Sequence, residues 1–246
     1  MTKQRETRER VLELIEPLSV GDAIPAERQL GLDLGVSRLT VRAALDELVR
    51  EGYLVRRRGA GTFVAEPKVA KGIDITSFSH DMRARGLTPE SRTLDLHVEM
   101  AGARLGRILH VSPSEEILSV KRLRLADGDP MAIELLHTRA SLVPGLTGRD
   151  LEENSFYELL VSRYGISIVG GTQTVEPTVT NEEESASLGV PLHSPALLFE
   201  RVTRSSTGDL VEFTSSTYRG DRYRIVTEIG VGGASPMAIT AAAALR

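Results

Sequence analysis

Apolar residues recur every three or four positions through most of the first 52 residues, a spacing typical of helices that pack on one face. The first predicted helix covers residues 2–17. A second begins at Pro25 and ends at Gly35, and a third follows Ser37 and ends before Gly52. The chain therefore opens with a small three-helix domain. The buried stripe of the third helix comprises Val41, Ala44, Leu45 and Leu48.

Two short β-prone runs, residues 53–55 and 62–64, follow the helices. The segment between them, residues 56–61, holds three arginines and two glycines, a composition that favours a hairpin with a basic tip. We expect this domain to span residues 1–66. The residues that follow include proline and glycine and show no sustained period, so an interdomain linker is expected over residues 67–73.

Residues 74–230 mix short helical patterns with alternating patterns typical of strands. Turn-forming residues at 127–130 and 207–209 each separate two β-prone runs, which predicts two hairpins. The mixture indicates an α+β domain with a mainly antiparallel sheet. Residues 231–246 are rich in glycine and alanine and are expected to form a flexible tail. Predicted helices cover 77–85, 104–109, 155–164 and 181–188, and predicted strands or extended segments cover 93–100, 117–125, 131–138, 165–177, 196–205 and 210–218.

The composition, with 41% hydrophobic and 26% charged residues among 246, is that of a folded globular protein. The absence of cysteine excludes disulfides, thiolate metal sites and a cysteine nucleophile. No apolar run reaches the roughly 20 residues of a membrane span, so we expect a cytoplasmic protein without membrane contact. We expect neither a metal nor a cofactor, because no histidines share ligand spacing; they are His80, His97, His110, His137 and His193.

The distribution of charge points to a local rather than a general affinity for nucleic acid. The net charge is -4 with a pI near 5.8, which argues against non-specific coating of DNA, yet residues 37–58 carry six arginines and three acidic residues. Arg38 and Arg42 lie one turn apart where the third helix begins, and arginine forks suit guanine in the major groove. Thr40 can bind phosphate or a base edge. Spacing alone leaves open a small helical domain whose surface charges are merely solvated.

Four short motifs occur in the order found in a known DNA-binding domain. They are IPAER at 24–28, VSRLTVR at 36–42, EG at 51–52 and GAGTFV at 59–64. Residues 1–66 thereby resemble the winged helix-turn-helix domain of the GntR family of bacterial transcription regulators. Two positions depart from the family pattern, since Ala26 replaces a serine and Ala60 a common wing lysine, for which Arg57 or Arg58 could compensate. The resemblance implies operator contacts from Arg28, Ser37, Arg38, Thr40, Arg42, Arg57, Arg58, Gly59 and Gly61.

A second constellation lies on one predicted strand of the larger domain. Arg122 and Arg124 share a face of this strand because strand side chains alternate, and two guanidinium groups held side by side require an anion. Ser79 and Ser155 stand where short helices begin, and helix N-termini also attract phosphate or carboxylate. The alternative is that the arginines pair with carboxylates on a solvated face. Those carboxylates would be Asp127 and Asp129.

Five further motifs resemble the UTRA effector domain of the HutC branch of GntR regulators and span almost all of residues 74–229. They are SFSHDM at 77–82, VKRLR at 120–124, PMAIE at 130–134, SFYE at 155–158 and YRGDRY at 218–223. The resemblance implies a fold like that of chorismate lyase, and it implies that the domain binds a small effector rather than processing it. His80 departs from the pattern, because an acidic residue is frequent there.

The branch includes regulators of N-acetylglucosamine use, and the resemblance to them implies particular site residues. Positions that hold phosphate match Phe78, Ser79, Arg122, Arg124, Ser155 and Tyr157, and positions that hold sugar hydroxyls match Glu134, Glu212 and Tyr218. This implies N-acetylglucosamine 6-phosphate or glucosamine 6-phosphate as the effector. Other members bind urocanate, fatty acids, trehalose phosphate or drug-like ligands. Phe78, Phe156 and Tyr223 are equally well explained as core aromatics.

These observations predict an effector-responsive repressor that binds, as a homodimer, an inverted repeat in double-stranded operator DNA. One alternative is an enzyme of lyase-like fold that acts on a small anionic metabolite. The sequence contains no nucleophile elbow, phosphate-binding loop or dinucleotide fingerprint to support it. Another alternative is an architectural DNA-binding protein without a ligand.

Overall fold

A computed structural model gives the structure of residues 3–57, 59–65, 69–71 and 77–226. Arg58 and the predicted tail, residues 231–246, lie outside these ranges, as do residues 72–76, which include the end of the predicted linker.

The N-terminal domain consists of three helices and a two-stranded wing, as the sequence predicts. Ser37 caps the third helix by accepting a hydrogen bond from the Thr40 amide at 3.2 Å. Gly35 and Gly52 end the second and third helices with φ angles of 66° and 81°, which favour glycine. The elements are α1 Lys3–Ile15, α2 Glu27–Leu34, α3 Arg38–Glu51, β1 Leu54–Arg57 and β2 Gly61–Val64. Their common core comprises Val11, Ile15, Ile24, Leu30, Val41, Leu45, Leu48 and Leu54.

A short strand lies within the predicted linker. This strand, β3 (Val69–Lys71), pairs in parallel with a strand near the end of the described chain, Tyr223–Ile225. Three residues are too few to show a period, and the partner lies about 150 residues away, so the sequence pattern could not reveal this pairing. The connection is therefore tied by backbone hydrogen bonds to the C-terminal end of the effector-domain fold.

The larger domain is α+β. Its elements are α4 Phe78–Ala84, β4 Pro89–Met100, α5 Gly102–Leu109, β5 Glu116–Ala126, β6 Asp129–Arg139, a 3-10 turn Ala140–Leu142, α6 Gly148–Glu153, α7 Phe156–Tyr164, β7 Ile168–Val179, α8 Glu182–Leu188, β8 Pro195–Ser205, β9 Leu210–Arg219 and β10 Tyr223–Ile225. Six of the strands form an antiparallel sheet in the order β4-β5-β6-β9-β8-β7. Both predicted hairpins are confirmed, as β5–β6 and β8–β9.

Helices cover both faces of this sheet. On one face, α6 and α7 pack on Val120 and Leu136, and α4 packs on Ala132 through Phe78 and Met82. On the other face, α5 and α8 form two separate apolar clusters with the sheet. The face under α4 and α7 carries the predicted effector residues of β5, β6 and β9.

Two further differences from the prediction concern α6 and β4. The pattern did not reveal α6, which has six residues and is held by a capping box between Thr147 and Asp150. Strand β4 begins at Pro89 rather than at residue 93, and a register shift between Thr93 and Asp95 interrupts the alternation on which the prediction relied.

Candidate functional site

The start of α3 presents the predicted DNA-reading residues to solvent. The side chains of Arg38 and Arg42 are 66% and 49% exposed. Thr40 is half-buried, and its hydroxyl forms a 2.9 Å hydrogen bond with that of Ser37. Arg28 lies exposed in the first turn of α2. The structure thus brings these predicted residues to one end of the domain surface.

Glu27 joins the two arginines of α3, a role that the sequence did not reveal. Its carboxylate accepts hydrogen bonds from Arg38 Nε at 3.1 Å and from Arg42 Nη2 at 2.9 Å. Arg56 of the wing lies 3.7 Å from the same carboxylate. The hydrogen bond from Arg42 is the main cause of the lowered pKa of Glu27. A single ionised carboxylate therefore orients the guanidinium groups that would meet DNA.

The wing tip is held by glycine geometry and one aromatic contact. Gly59 and Gly61 have φ angles of 76° and 125°, which β-carbon-bearing residues rarely adopt. The Arg57 guanidinium lies 4.7 Å from the centre of the Phe63 ring. The predicted contact Arg58 lies outside the described residues.

In the larger domain, charged side chains form a buried band across the sheet face beneath α4 and α7. We call this band the polar strip, and it consists of Arg122, Arg124, Glu134, Arg201 and Glu212. Both arginines of β5 are only 3% exposed. The two apolar clusters on this face lie at either end of the strip.

The alternative that these arginines pair with turn carboxylates on a solvated face is wrong. Arg122 forms a buried ion pair with Glu134 on the adjacent strand. Asp127 instead accepts a 2.8 Å hydrogen bond from the Thr88 amide, and Asp129 pairs with Arg222 at 2.9 Å. The two turn carboxylates thus have partners other than the arginines of β5, whereas strand alternation directs these arginines inward.

Arg124 is held from three sides. Its terminal nitrogens donate 3.2 Å hydrogen bonds to the hydroxyls of Ser91 and Ser79. Its guanidinium lies 4.6 Å from the centre of the Phe78 ring, so Phe78 is both a core residue and a partner of the cation. Burial, together with the nearby positive charge of Arg122, lowers the pKa of Arg124 to about 10.

Several N–H groups of the two arginines remain without an acceptor. Among the described residues, Nε and Nη1 of Arg122 and Nε of Arg124 are buried and have no hydrogen-bond partner. A buried donor without an acceptor is costly, by about 1–3 kcal/mol and more when it is charged. The site therefore favours a ligand that supplies several acceptor oxygens.

The carboxylates of the strip differ in their surroundings. Burial alone would raise the pKa of Glu134, but the neighbouring arginines outweigh it and lower the value to about 2. Burial raises the pKa of Glu212, which accepts a hydrogen bond from the Tyr157 hydroxyl. With both carboxylates ionised, the strip has one positive charge in excess. An anion would neutralise it.

Arg201 completes the strip and was missed in the sequence. Its Nε lies 3.6 Å from a Glu212 oxygen, and its guanidinium lies 5.4 Å from the centre of the Tyr157 ring. The alternation of β8 places it on the same face as Phe199, which could have indicated an inward-facing charge.

An open cavity of about 610 Å³ lies between the first turns of α4 and α7. Its lining includes the predicted Ser155 and Tyr157, together with His80. Tyr157 stands between this cavity and Glu212, so the cavity adjoins the polar strip.

Three aromatics are mainly core residues. Phe156 belongs to the apolar cluster beneath α7. Tyr218 is 3% exposed, with its ring centre 4.3 Å from that of Tyr223, and the Tyr223 hydroxyl donates a 3.0 Å hydrogen bond to Asp81. The structure thus gathers most of the predicted effector residues along one buried face, with Tyr218 at its aromatic end.

Family comparisons agree with this arrangement over nearly the whole chain. Residues 3–64 match the bacterial regulatory proteins of the gntR family, and residues 72–224 match the UTRA domain. The protein belongs to the GntR family. The regulator is 38% identical to the HTH-type transcriptional repressor NagR of Bacillus subtilis (strain 168) over 204 residues, 82% of this chain and 84% of NagR.

Two further relatives define the branch and the fold. The histidine utilization repressor of Klebsiella aerogenes is 31% identical over 210 residues, 85% of this chain and 86% of the relative. The crystal structure of PhnF from Mycobacterium smegmatis matches the regulator with a TM-score of 0.64 at 27% identity, over 91% of this chain and 99% of PhnF.

The regulator is thus a transcriptional repressor of the GntR/HutC type, not an enzyme. Such a regulator binds DNA through its N-terminal domain and a small-molecule effector through its UTRA domain. Among the described helices, none is long and apolar enough to cross a membrane. Within the same ranges, no three His, Asp or Glu side chains are grouped so as to hold a metal ion.

Proposed function

We propose that the regulator releases or retains its operator in response to a phosphorylated amino sugar, N-acetylglucosamine 6-phosphate or glucosamine 6-phosphate. The observation that carries this proposal is the pair of buried arginines on β5 whose N–H groups lack acceptors. A phosphate dianion offers three strong acceptor oxygens and also offsets the excess positive charge of the polar strip.

The remaining strip residues suit a sugar. Glu134 and Glu212 are carboxylates that can accept hydrogen bonds from hydroxyls, and Tyr218 adds a phenol. Ser79 already contacts Arg124, and Ser155 and Tyr157 lie at the start of α7, beside the cavity. Sugar hydroxyls would then lie on both sides of the two arginines, because Glu212 lies at the end near Tyr157 and Tyr218 at the end near Phe78.

A carboxylate effector is the second candidate. The mannosyl-D-glycerate transport/metabolism system repressor MngR of Escherichia coli (strain K12) is 32% identical over 225 residues, and its name refers to an anionic sugar without phosphate. A carboxylate has two acceptor oxygens, whereas three buried nitrogen atoms of the two arginines have no hydrogen-bond partner among the described residues.

For DNA, we propose that α3 enters the major groove, with Arg38 and Arg42 at base edges and with Arg28, Ser37 and Thr40 at phosphates. The exposure of the two arginines supports this placement. Arg57, Arg58, Gly59 and Gly61 would bring the wing to the adjacent backbone. A homodimer would present two such helices to an inverted repeat, and its DNA target places it in the cytoplasm.

The domain limits are proposed with this function. Residues 1–66 would bind the operator and residues 74–230 the effector, and residues 67–73 would connect them. The pairing of β3 with β10 supports a connection that is attached to the effector domain.

The test is calorimetric titration of the regulator with the two phosphorylated sugars and with their unphosphorylated forms. Each charge-assisted bond to phosphate contributes about 1.5–3 kcal/mol, so Arg122→Ala or Arg124→Ala should abolish binding of any phosphorylated sugar. Arg149→Ala is the matched control, because that side chain is 84% exposed and forms an ion pair with Glu153 in its own helix. Equal affinity for both sugar forms, or full binding by the two strip variants, would contradict the phosphate assignment.

A further inference from the structure

One apolar residue of α3 projects away from the protein. Leu39, between Arg38 and Thr40, is 77% exposed, more than any other large hydrophobic side chain in the part of the chain that the structure describes. Single exposed leucines are common and by themselves carry no meaning. The position of Leu39 on the helix is what distinguishes it.

The helical geometry of α3 defines this position. The buried side chains Val41, Ala44, Leu45 and Leu48 all face the domain core. At about 100° per residue, Leu39 points almost directly opposite to the centre of that buried stripe. It lies about 60° around the helix from Arg42 and about 100° from Arg38. Leu39 therefore occupies the outermost line of the helix, beside both arginines.

The charges around Leu39 indicate what covers it. Arg38 and Arg42 share the carboxylate of Glu27. Arg56 lies 3.7 Å from the same carboxylate and also pairs with Asp46, so three guanidinium groups face two carboxylates and this end of the domain keeps excess positive charge. An apolar protein partner on Leu39 would have to bury these cations, whereas duplex DNA neutralises them. The complementary occupant is therefore the major groove of DNA.

Only one base presents an apolar group in that groove, namely thymine with its C5 methyl. A leucine side chain has neither donor nor acceptor, so it cannot read the polar edges of the other bases. We propose that Leu39 contacts a thymine methyl in each operator half-site and thereby helps to determine sequence specificity. The inference rests on the proposed placement of α3 in the major groove.

The size of the effect follows from the burial of one methyl group. Removing a buried methyl costs roughly 0.8 kcal/mol, which raises the dissociation constant about fourfold. A change of this size is measurable by titration and is smaller than the loss expected for an arginine that binds guanine.

The experiment uses the full-length regulator and a duplex selected from a random-sequence pool by the wild-type protein. Each thymine of one half-site is replaced in turn by deoxyuridine, which removes only the methyl, and the dissociation constant is measured by fluorescence anisotropy. We expect about a fourfold loss at one position for the wild type. Leu39→Ala should show no loss at that position, while binding the thymine duplex about fourfold less tightly than the wild type.

The matched control is Leu32→Ala, which removes another exposed leucine, 71% exposed, from the preceding helix α2. This variant should lose about as much affinity as the wild type when deoxyuridine replaces the responsive thymine. Alanine is a better helix former than leucine, so Leu39→Ala should retain helix content and melting temperature, which circular dichroism will show.

Two results would overturn the role of Leu39. One is that no thymine of the half-site responds to loss of its methyl, and the other is that Leu39→Ala responds as the wild type does. The placement of α3 is tested separately by Arg38→Ala, which should relax discrimination at one base pair. If that variant keeps wild-type selectivity, the proposed groove placement is itself wrong, and the role of Leu39 falls with it.

Discussion

Replacing Arg122 should destabilise the effector domain, and a second replacement at Glu134 should cost less in the Arg122 variant than in the wild type without restoring ligand binding. Arg122 and Glu134 form an ion pair whose side chains are 4% and 7% exposed. Arg122→Met would leave the carboxylate of Glu134 buried with one fewer positive charge beside it. Breaking such a pair typically costs about 3–5 kcal/mol, and we expect about 3 kcal/mol because Arg124 and Arg201 still act on this carboxylate.

The opposite single change should also be unfavourable. Glu134→Gln removes one of the two carboxylates of the strip while its three arginines remain, which raises the excess positive charge of the strip. The double variant Arg122→Met/Glu134→Gln removes one charge of each sign and keeps the original excess. We therefore expect its free energy of unfolding to exceed the additive value by about 2 kcal/mol.

Urea unfolding at neutral pH measures these values. The chain has no tryptophan, and its tyrosine fluorescence reports mainly on the larger domain, which contains four of the five tyrosines: Tyr157, Tyr164, Tyr218 and Tyr223. Additive effects of the two replacements would refute the coupling that the buried pair implies. Binding of a phosphorylated sugar by the double variant would refute the role of Arg122 in the phosphate site.

Three further predictions concern pH, DNA selectivity and coupling. The pKa of Glu134 is lowered from 4.5 to about 2, so its ionised form stabilises the fold above pH 4.5 and this contribution disappears as the pH falls towards 2. In Glu134→Gln, the free energy of unfolding from urea curves should therefore lose about 3 kcal/mol less than in the wild type over this pH range. Glu27→Gln should strengthen binding to random DNA and lower the ratio of operator affinity to random-DNA affinity, because Arg38 and Arg42 lose their shared carboxylate. Anisotropy at two salt concentrations measures this ratio, and an unchanged ratio would contradict the role of Glu27. Gly-Ser residues inserted directly before β3 should leave operator binding and effector binding intact but abolish the effect of the effector on operator affinity. If the effector still changes operator affinity, direct contacts between the domains transmit the signal.

Strong local signals made most of the fold predictable. Gly35 and Gly52 mark helix ends through a left-handed backbone that few other residues adopt, and Ser37 marks a helix start through its side-chain cap. All three bound α2 and α3 in the structure as expected. The turn residues at 127–130 likewise identify the β5–β6 hairpin. Such features depend on neighbours in the sequence and can be read without knowledge of the tertiary structure.

Features that depend on distant partners were not predictable in this way. Arg201 enters the polar strip because β8 pairs with β9, which brings it near Glu212. Glu27 meets Arg38 and Arg42 only after the turn between α2 and α3 has folded. Glu27 does not differ in the sequence from an ordinary surface charge, and the alternation of β8 indicates that Arg201 faces inward but not which carboxylate it meets.

The face that a residue occupies could be predicted, whereas its partner could not. Alternation correctly places Arg122 and Arg124 on one face of β5, but it gives no information on whether that face is solvated. The covering helices α4 and α7 determine this, and with it the difference between a surface ion pair and a buried anion site.

Control of operator binding by a phosphorylated amino sugar is tested most directly by the operator affinity of the wild type and of Arg124→Ala during titration with four sugars. They are N-acetylglucosamine 6-phosphate, glucosamine 6-phosphate and the two unphosphorylated forms. We expect a phosphorylated sugar to change wild-type operator affinity by roughly 5- to 150-fold, the usual range of coupling between two sites. We expect no change with the unphosphorylated sugars, and none in Arg124→Ala with any of the four. An unchanged wild-type affinity with both phosphates, or an equal change with the unphosphorylated sugars, would contradict this control of operator binding.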